Sequence, residues 1–118
     1  MSALEKEISP RVNSEMLPKW IGKTVRLTCK LLNFDSESER SFRVEASDGG
    51  QVVIQAINTG EPFRPDDIYL EVIGKVIDAT TISMLGCIGM GNELDMKLVN
   101  DTVILIHDPR FFGKMFSY

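Results

Sequence analysis

The chain has 118 residues, 43% of them apolar and 25% charged, with a net charge of −4. That length fits one domain with a modest core, and the acidic balance argues against a protein that grips nucleic acid alone through phosphate contacts. No apolar run approaches the ~20 residues of a membrane span, and the first ten residues lack the basic and apolar regions of a secretory signal.

The expected protein is soluble and intracellular. The two cysteines, Cys29 and Cys87, are far apart and sit in apolar runs. They read as buried thiols in a reducing compartment rather than as a disulfide framework or a zinc site.

Residues 1–12 read as a flexible N-terminal arm. Asn13 and Ser14 are good helix caps, and Met16, Leu17, Trp20 and Ile21 follow at one-face helical spacing. Pro18 keeps this helix short, and Gly22 can end it. Val25 to Leu31 then alternates apolar and polar residues, the pattern of a half-buried strand. Asp35–Ser41 is a polar, acidic loop. Phe42–Ala46 alternates again, Asp48-Gly49-Gly50 signals a hairpin, and Gln51–Ile57 is the return strand.

Asn58–Asp67 reads as a Pro-containing loop. Ile68–Ile77 is a long strand with Ile68, Leu70, Val72, Gly74 and Val76 on one face. Asp78-Ala79 turns the chain into a fifth strand, Thr80–Ile88, with Ile82, Met84, Gly86 and Ile88 facing in. A glycine at Gly86 suggests a sharp bend or a close approach. Asn92 or Asp95 can cap a final helix.

Five short antiparallel strands avoid bare edges by closing into a barrel. The expected class is all-β with flanking helices: a five-stranded oligonucleotide/oligosaccharide-binding (OB) barrel over 13–91, then a C-terminal helix and tail over 92–118. An SH3-like barrel fits the strand count nearly as well. Trp20 is expected to plug one barrel end.

On a helix, Leu98, Val99, Thr102, Val103, Leu105 and Ile106 fall within an arc of roughly 160°. That exceeds the ~100° stripe needed to lie on one core. Such a face suggests two clients, its own barrel and another chain. A helix serving only its own domain, or a strand over Val103–Ile106, are the alternatives. Phe111, Phe112, Met115 and Phe116 extend the apolar surface past Pro109.

Catalysis has little to stand on. His107 is the one histidine, and in a last helical turn it suits the dipole. Gly86, Gly89 and Gly91 match neither phosphate-binding fingerprint, and no metal or cofactor set is apparent. For single-strand binding, the second and third strands offer Lys30, Arg40, Phe42 and Arg43, with Tyr69 out of phase with its strand's core face. Glu37, Glu39, Glu45 and Asp48 offset them, and Phe42 is in phase with the core.

Pro10-Arg11-Val12-Asn13 with Met16-Leu17, then Val72-Ile73-Gly74-Lys75-Val76, then Val103-Ile104-Leu105-Ile106-His107-Asp108-Pro109 with Phe111-Phe112 occur in order along nearly the whole chain. In that order they resemble the family of smallest subunits of replication protein A, the eukaryotic heterotrimeric single-stranded-DNA-binding protein. The resemblance implies an OB barrel whose final helix joins helices of the middle and large subunits in a three-helix bundle. Residues Leu98, Val99, Thr102, Val103, Leu105, Ile106, Phe111 and Phe112 would form that interface. It further implies a nuclear, non-catalytic subunit serving DNA replication, repair and recombination, with little direct DNA contact of its own. The alternative is an autonomous single-strand or telomere-end binder using Lys30, Arg40, Phe42, Arg43 and Tyr69. The Gly89–Asn92 loop is shorter than the family's pattern, and the acidic Asp35–Ser41 loop weakens a DNA role for the adjacent face.

Overall fold

A computed structural model describes residues 9–34, 41–56 and 67–108. Its described elements are β1 (Arg11–Val12), a 3-10 helix (Ser14–Lys19), β2 (Thr24–Phe34), β3 (Ser41–Ala46), β4 (Gln51–Gln55), β5 (Tyr69–Asp78), β6 (Thr81–Gly89) and α1 (Met96–Ile106).

Strand β2 organises the barrel. Its period-2 pattern sends Val25, Leu27 and Cys29 inward, all 0% exposed. One edge pairs with β5 over Thr24–Lys30; its second half pairs with β3 over Cys29–Phe34. An extra residue at Leu32 shifts the β2–β3 register there, the usual device for bending a strand. From β3 the order runs through β4 and β6 to β5, which returns to β2. The five strands thus close, and the shared interior removes the exposed edges.

The sheet is not purely antiparallel as expected: β4 and β6 pair in parallel at Val53–Thr81 through Gln55–Ser83. β1 is a second departure. Residues 9–12 were expected in the arm, but Arg11 and Val12 run parallel to Arg26 and Leu27. Pro10 accepts a hydrogen bond from the Arg26 N–H at 2.9 Å. A two-residue strand carries no periodicity to read.

The turns obey their sequences. Gly49 adopts φ +90° in the β3–β4 hairpin, and Asp78 Oδ1 accepts from the Thr80 N–H at 2.9 Å in the β5–β6 turn. The first helix is capped by Asn13, whose side chain accepts from Met16 N–H at 3.1 Å. With no N–H at Pro18 it stays a single 3-10 segment. Leu17, not Trp20, enters the core, at 0% exposed. Trp20 is half-buried against that core.

Phe42, Leu27, Ile54, Leu70 and Ile82 fill the interior, each worth about 1.5–3 kcal/mol relative to exposure. Two expected core residues lie outside it. Ile88 is 47% exposed, because an extra residue in β6 at Leu85 shifts the register between Ile73 and Gly74. One added residue reverses the phase of a strand, so Cys87 turns toward the core instead. Ile68 is 44% exposed because it precedes β5 at the rim, held by its N–H to Asn92 Oδ1 at 3.1 Å. Nor does Gly86 mark a close approach: a Cβ there would meet nothing within 4 Å.

Candidate partner and nucleic-acid surfaces

Helix α1 starts at Asp95, whose carboxylate accepts the Leu98 N–H at 3.1 Å. It covers residues Val103 to Ile106, so the strand alternative fails there. Its apolar arc divides. Val103 and Ile106 are 1% and 6% exposed within this single chain, with Val99 half-buried beside them. Leu98 and Leu105 stay 62% and 43% exposed, and Thr102 between them is exposed and bonds its own backbone at Leu98 O, 2.9 Å away. Ile104 is also outward. Phe111 and Phe112 lie outside the described residues.

Polar contacts fix the helix on the barrel. Asn100 Oδ1 accepts from Asn13 Nδ2 at 3.0 Å and from Ser47 Oγ at 3.2 Å. At its far end the His107 ring lies edge-on to Trp20, centroids 5.8 Å apart, with Nε2 2.8 Å from the Arg11 carbonyl. His107 therefore fastens the helix end. Among the described residues no three His, Cys, Asp or Glu side chains gather as a metal site.

Between α1 and the outer wall lies a groove of about 260 Å³, lined by Leu98, Val99, Thr102 and Val103 on one side and Thr28, Glu71, Arg11 and Met90 on the other. Glu71 alternates outward from β5 yet is only 2% exposed. Its carboxylate accepts from Arg11 Nε and Arg26 Nη1, each at 3.1 Å. Sequence reading passed over it, because a carboxylate in outward phase normally meets water. The Arg11 to Glu71 link is also invisible to local pattern.

The candidate nucleic-acid residues do not form one platform. Phe42 is 1% exposed, in the core; its in-phase position in β3 already carried that signal. Lys30 is exposed, with Glu45 opposite on β3 and half-buried Tyr69 opposite on β5. Arg43 is exposed further along β3, opposite Asn33. Arg40 lies outside the described residues. The thiols are quiet: burial pushes Cys29 far up, and its Sγ donates to Leu70 O at 3.6 Å. Burial pushes Cys87 up to about 11.

The closed order β2-β3-β4-β6-β5, with its parallel β4–β6 pair, is that of the OB fold rather than of an SH3-like barrel. With its outward-faced terminal helix, the chain is an OB-fold protein. The family described as Replication factor A protein 3 matches residues 1–112, and the chain belongs to that family, the smallest subunits of replication protein A. Replication factor A protein 3 of Schizosaccharomyces pombe (strain 972) is 27% identical over 99 residues, 84% of this chain and 88% of that protein. A chain in the structure of U. maydis Replication protein A bound to ssDNA is 26% identical with a TM-score of 0.70, over 82% of this chain and 87% of that one. The telomere capping protein Ten1 from Saccharomyces pombe has a TM-score of 0.61 at 9% identity, over 83% and 96% of the two chains. That last likeness is one of fold alone.

Proposed function

We propose that this chain is a non-catalytic assembly subunit of a heterotrimeric single-stranded-DNA-binding complex. Its partners are the middle and large subunits of replication protein A, and its setting is the nucleus, in DNA replication, repair and recombination. Residues 92–118 are the assembly unit, and 13–91, with β1 added at Arg11–Val12, the barrel that carries it. The complex, rather than the strand face around Lys30, Tyr69 and Arg43, holds most of the DNA. The likeness to a chain of a DNA-bound replication protein A supports this reading.

One observation carries it. Helix α1 is already seated on the barrel through Val103 and Ile106, yet it leaves Leu98 and Leu105 in water. Burying such leucines in a helical bundle returns about 1.5–3 kcal/mol each, against which association costs are set. Leu98, Thr102 and Leu105 form the outward stripe. Phe111 and Phe112 continue it in sequence, and Val99 borders both faces.

The test is co-expression with the middle and large subunits. Leu98→Asp with Leu105→Asp is expected to abolish co-purification while the barrel keeps its circular dichroism. An intact complex on a sizing column with that variant overturns the proposal. Anisotropy titration of the isolated chain separates the autonomous-binder alternative, which requires submicromolar affinity at physiological salt.

A further inference from the structure

Where the C-terminal end of α1 meets the 3-10 helix lies an open cleft of about 440 Å³, lined by Met16, Lys19, Trp20, Lys23 and His107. His107 is nine residues from Leu98, about 180° around a helix, so this cleft and the stripe are separate. Local structure holds the cleft's wall in place. The Trp20 N–H donates to Leu17 O and the Lys23 N–H to Trp20 O, both at 2.9 Å. The Gly22 N–H donates to Val76 O at 2.8 Å, which ties the turn to β5. One edge contact with His107 sets the tilt of the indole. Lys19 and Lys23 are both exposed beside it. Among the described residues the lining carries two permanent cations and no carboxylate, on a chain of net charge −4.

We infer that this cleft is a contact site for single-stranded nucleic acid. One base lies against the Trp20 indole, and the adjoining phosphates meet the ammonium groups of Lys19 and Lys23. Every base offers a π-face, so an aromatic platform flanked by cations binds single strands without reading their sequence. An acidic peptide is less well served: only Met16 and Trp20 are apolar there, too little surface to repay association. This site lies apart from Lys30, Arg43 and Tyr69, and it places a DNA contact on the assembly subunit itself.

Trp20 is the sole tryptophan, so tryptophan emission, excited at the red edge where tyrosine does not absorb, reports on this cleft. The full chain is titrated at low salt with an oligothymidylate of about twenty nucleotides, several times the smallest sites of such folds. Saturable quenching is expected. Lys19→Ala with Lys23→Ala should weaken the affinity about tenfold or more and reduce the log–log salt slope by about 1.4, for two phosphates of a single strand. Both lysines are exposed, so circular dichroism and melting should not change. Arg43→Ala, on β3 and not among the cleft's lining residues, should leave the titration as it is. Absence of quenching, or quenching that the lysine variant does not weaken, overturns the inference. So does equal quenching by inorganic polyphosphate or by polyglutamate, which would mark a general anion site or a peptide site. Loss of partner docking does not bear on this readout, because the isolated chain is measured.

Discussion

Glu71 and Arg11 stand 60 residues apart in the chain, yet Arg11 Nε donates to Glu71 Oε2 at 3.1 Å. With Arg26 on the other carboxylate oxygen, the pair stitches the short strand β1 to the outer wall beneath α1. The carboxylate is almost fully buried, while the Arg11 and Arg26 side chains keep 49% and 36% of their exposure. If Glu71 is removed, both arginines can turn to water. Glu71→Ala should therefore cost about 1–3 kcal/mol, less than breaking a fully buried pair. Arg11→Ala should cost under about 1 kcal/mol, as for an exposed ion pair. Urea unfolding of the isolated chain measures both. Equal losses would show that the buried carboxylate is not the centre of the network.

The alternation was legible in β3 and β4, which keep one phase from end to end, and in β2 as far as Leu31, before the extra residue at Leu32; Phe42 followed from it. Ile88 was not legible. The extra residue at Leu85 reverses the phase of β6; Gly86 beside it signalled a bend, but nothing in Thr-Ile-Ser-Met-Leu-Gly-Cys-Ile says which residue is the extra one. β1 is too short to show a period, and the parallel β4–β6 pair is set by closure, a property of the whole barrel. At α1 the width of the apolar arc was readable, but its division between barrel and water was not. That division depends on where the helix lands, which Asn13, Ser47 and Asn100 fix through contacts far apart in sequence. Trp20 was expected inside; Leu17 takes the space, leaving the indole at the cleft.

The two sides of α1 should separate in their energetics. Val103 is 1% exposed, so Val103→Ala should destabilise the isolated chain by about 1–3 kcal/mol through lost burial and a cavity. Leu98→Ala and Leu105→Ala should each stay within about 0.5 kcal/mol in the isolated chain, as surface substitutions do. In the assembled complex the ranking should change, with the leucine variants lowering subunit affinity. Thermal melts alone and sedimentation with partners supply the two readings. A large loss of stability for Leu105→Ala in the isolated chain would contradict the division described for this helix.

Asp48 ties the β3–β4 hairpin to the start of the 3-10 helix. Its carboxylate accepts from Ser14 Oγ at 2.8 and 2.9 Å, and from the Glu15 N–H at 3.0 Å. Burial works to raise this carboxyl, but the hydrogen bonds from Ser14, Glu15 and Gly50 outweigh it and hold it below 3.8, its ordinary value. A carboxyl lowered in the folded state stabilises fully above the unfolded value. That contribution fades as pH falls through the folded one. Asp48→Asn should cost about 1 kcal/mol at pH 7. The gap between variant and parent should close as pH falls below the folded value. Urea midpoints across that range test it; a gap that does not vary with pH would remove the charge from the explanation.

Gly74 sits on the inner face of β5 where β6 presses closest. A Cβ there would fall onto the Ser83 carbonyl oxygen and within 2.6 Å of Ile82 Cγ2. The oxygen belongs to the β6 backbone, held by the β5–β6 ladder, so it cannot step aside as a flexible side chain would. Gly74→Ala should cost about 2–3 kcal/mol, as overpacking does, which is on the order of 8–15 °C in melting temperature for a domain this size. Gly86 supplies the control, on the neighbouring strand with open space where its Cβ would stand. Gly86→Ala should change stability by under about 1 kcal/mol, toward stabilisation through a less flexible unfolded chain. Differential scanning calorimetry of the two variants side by side decides the matter. Equal melting temperatures would mean that the barrel can yield at Gly74, and that closure is looser there than the β5–β6 register implies.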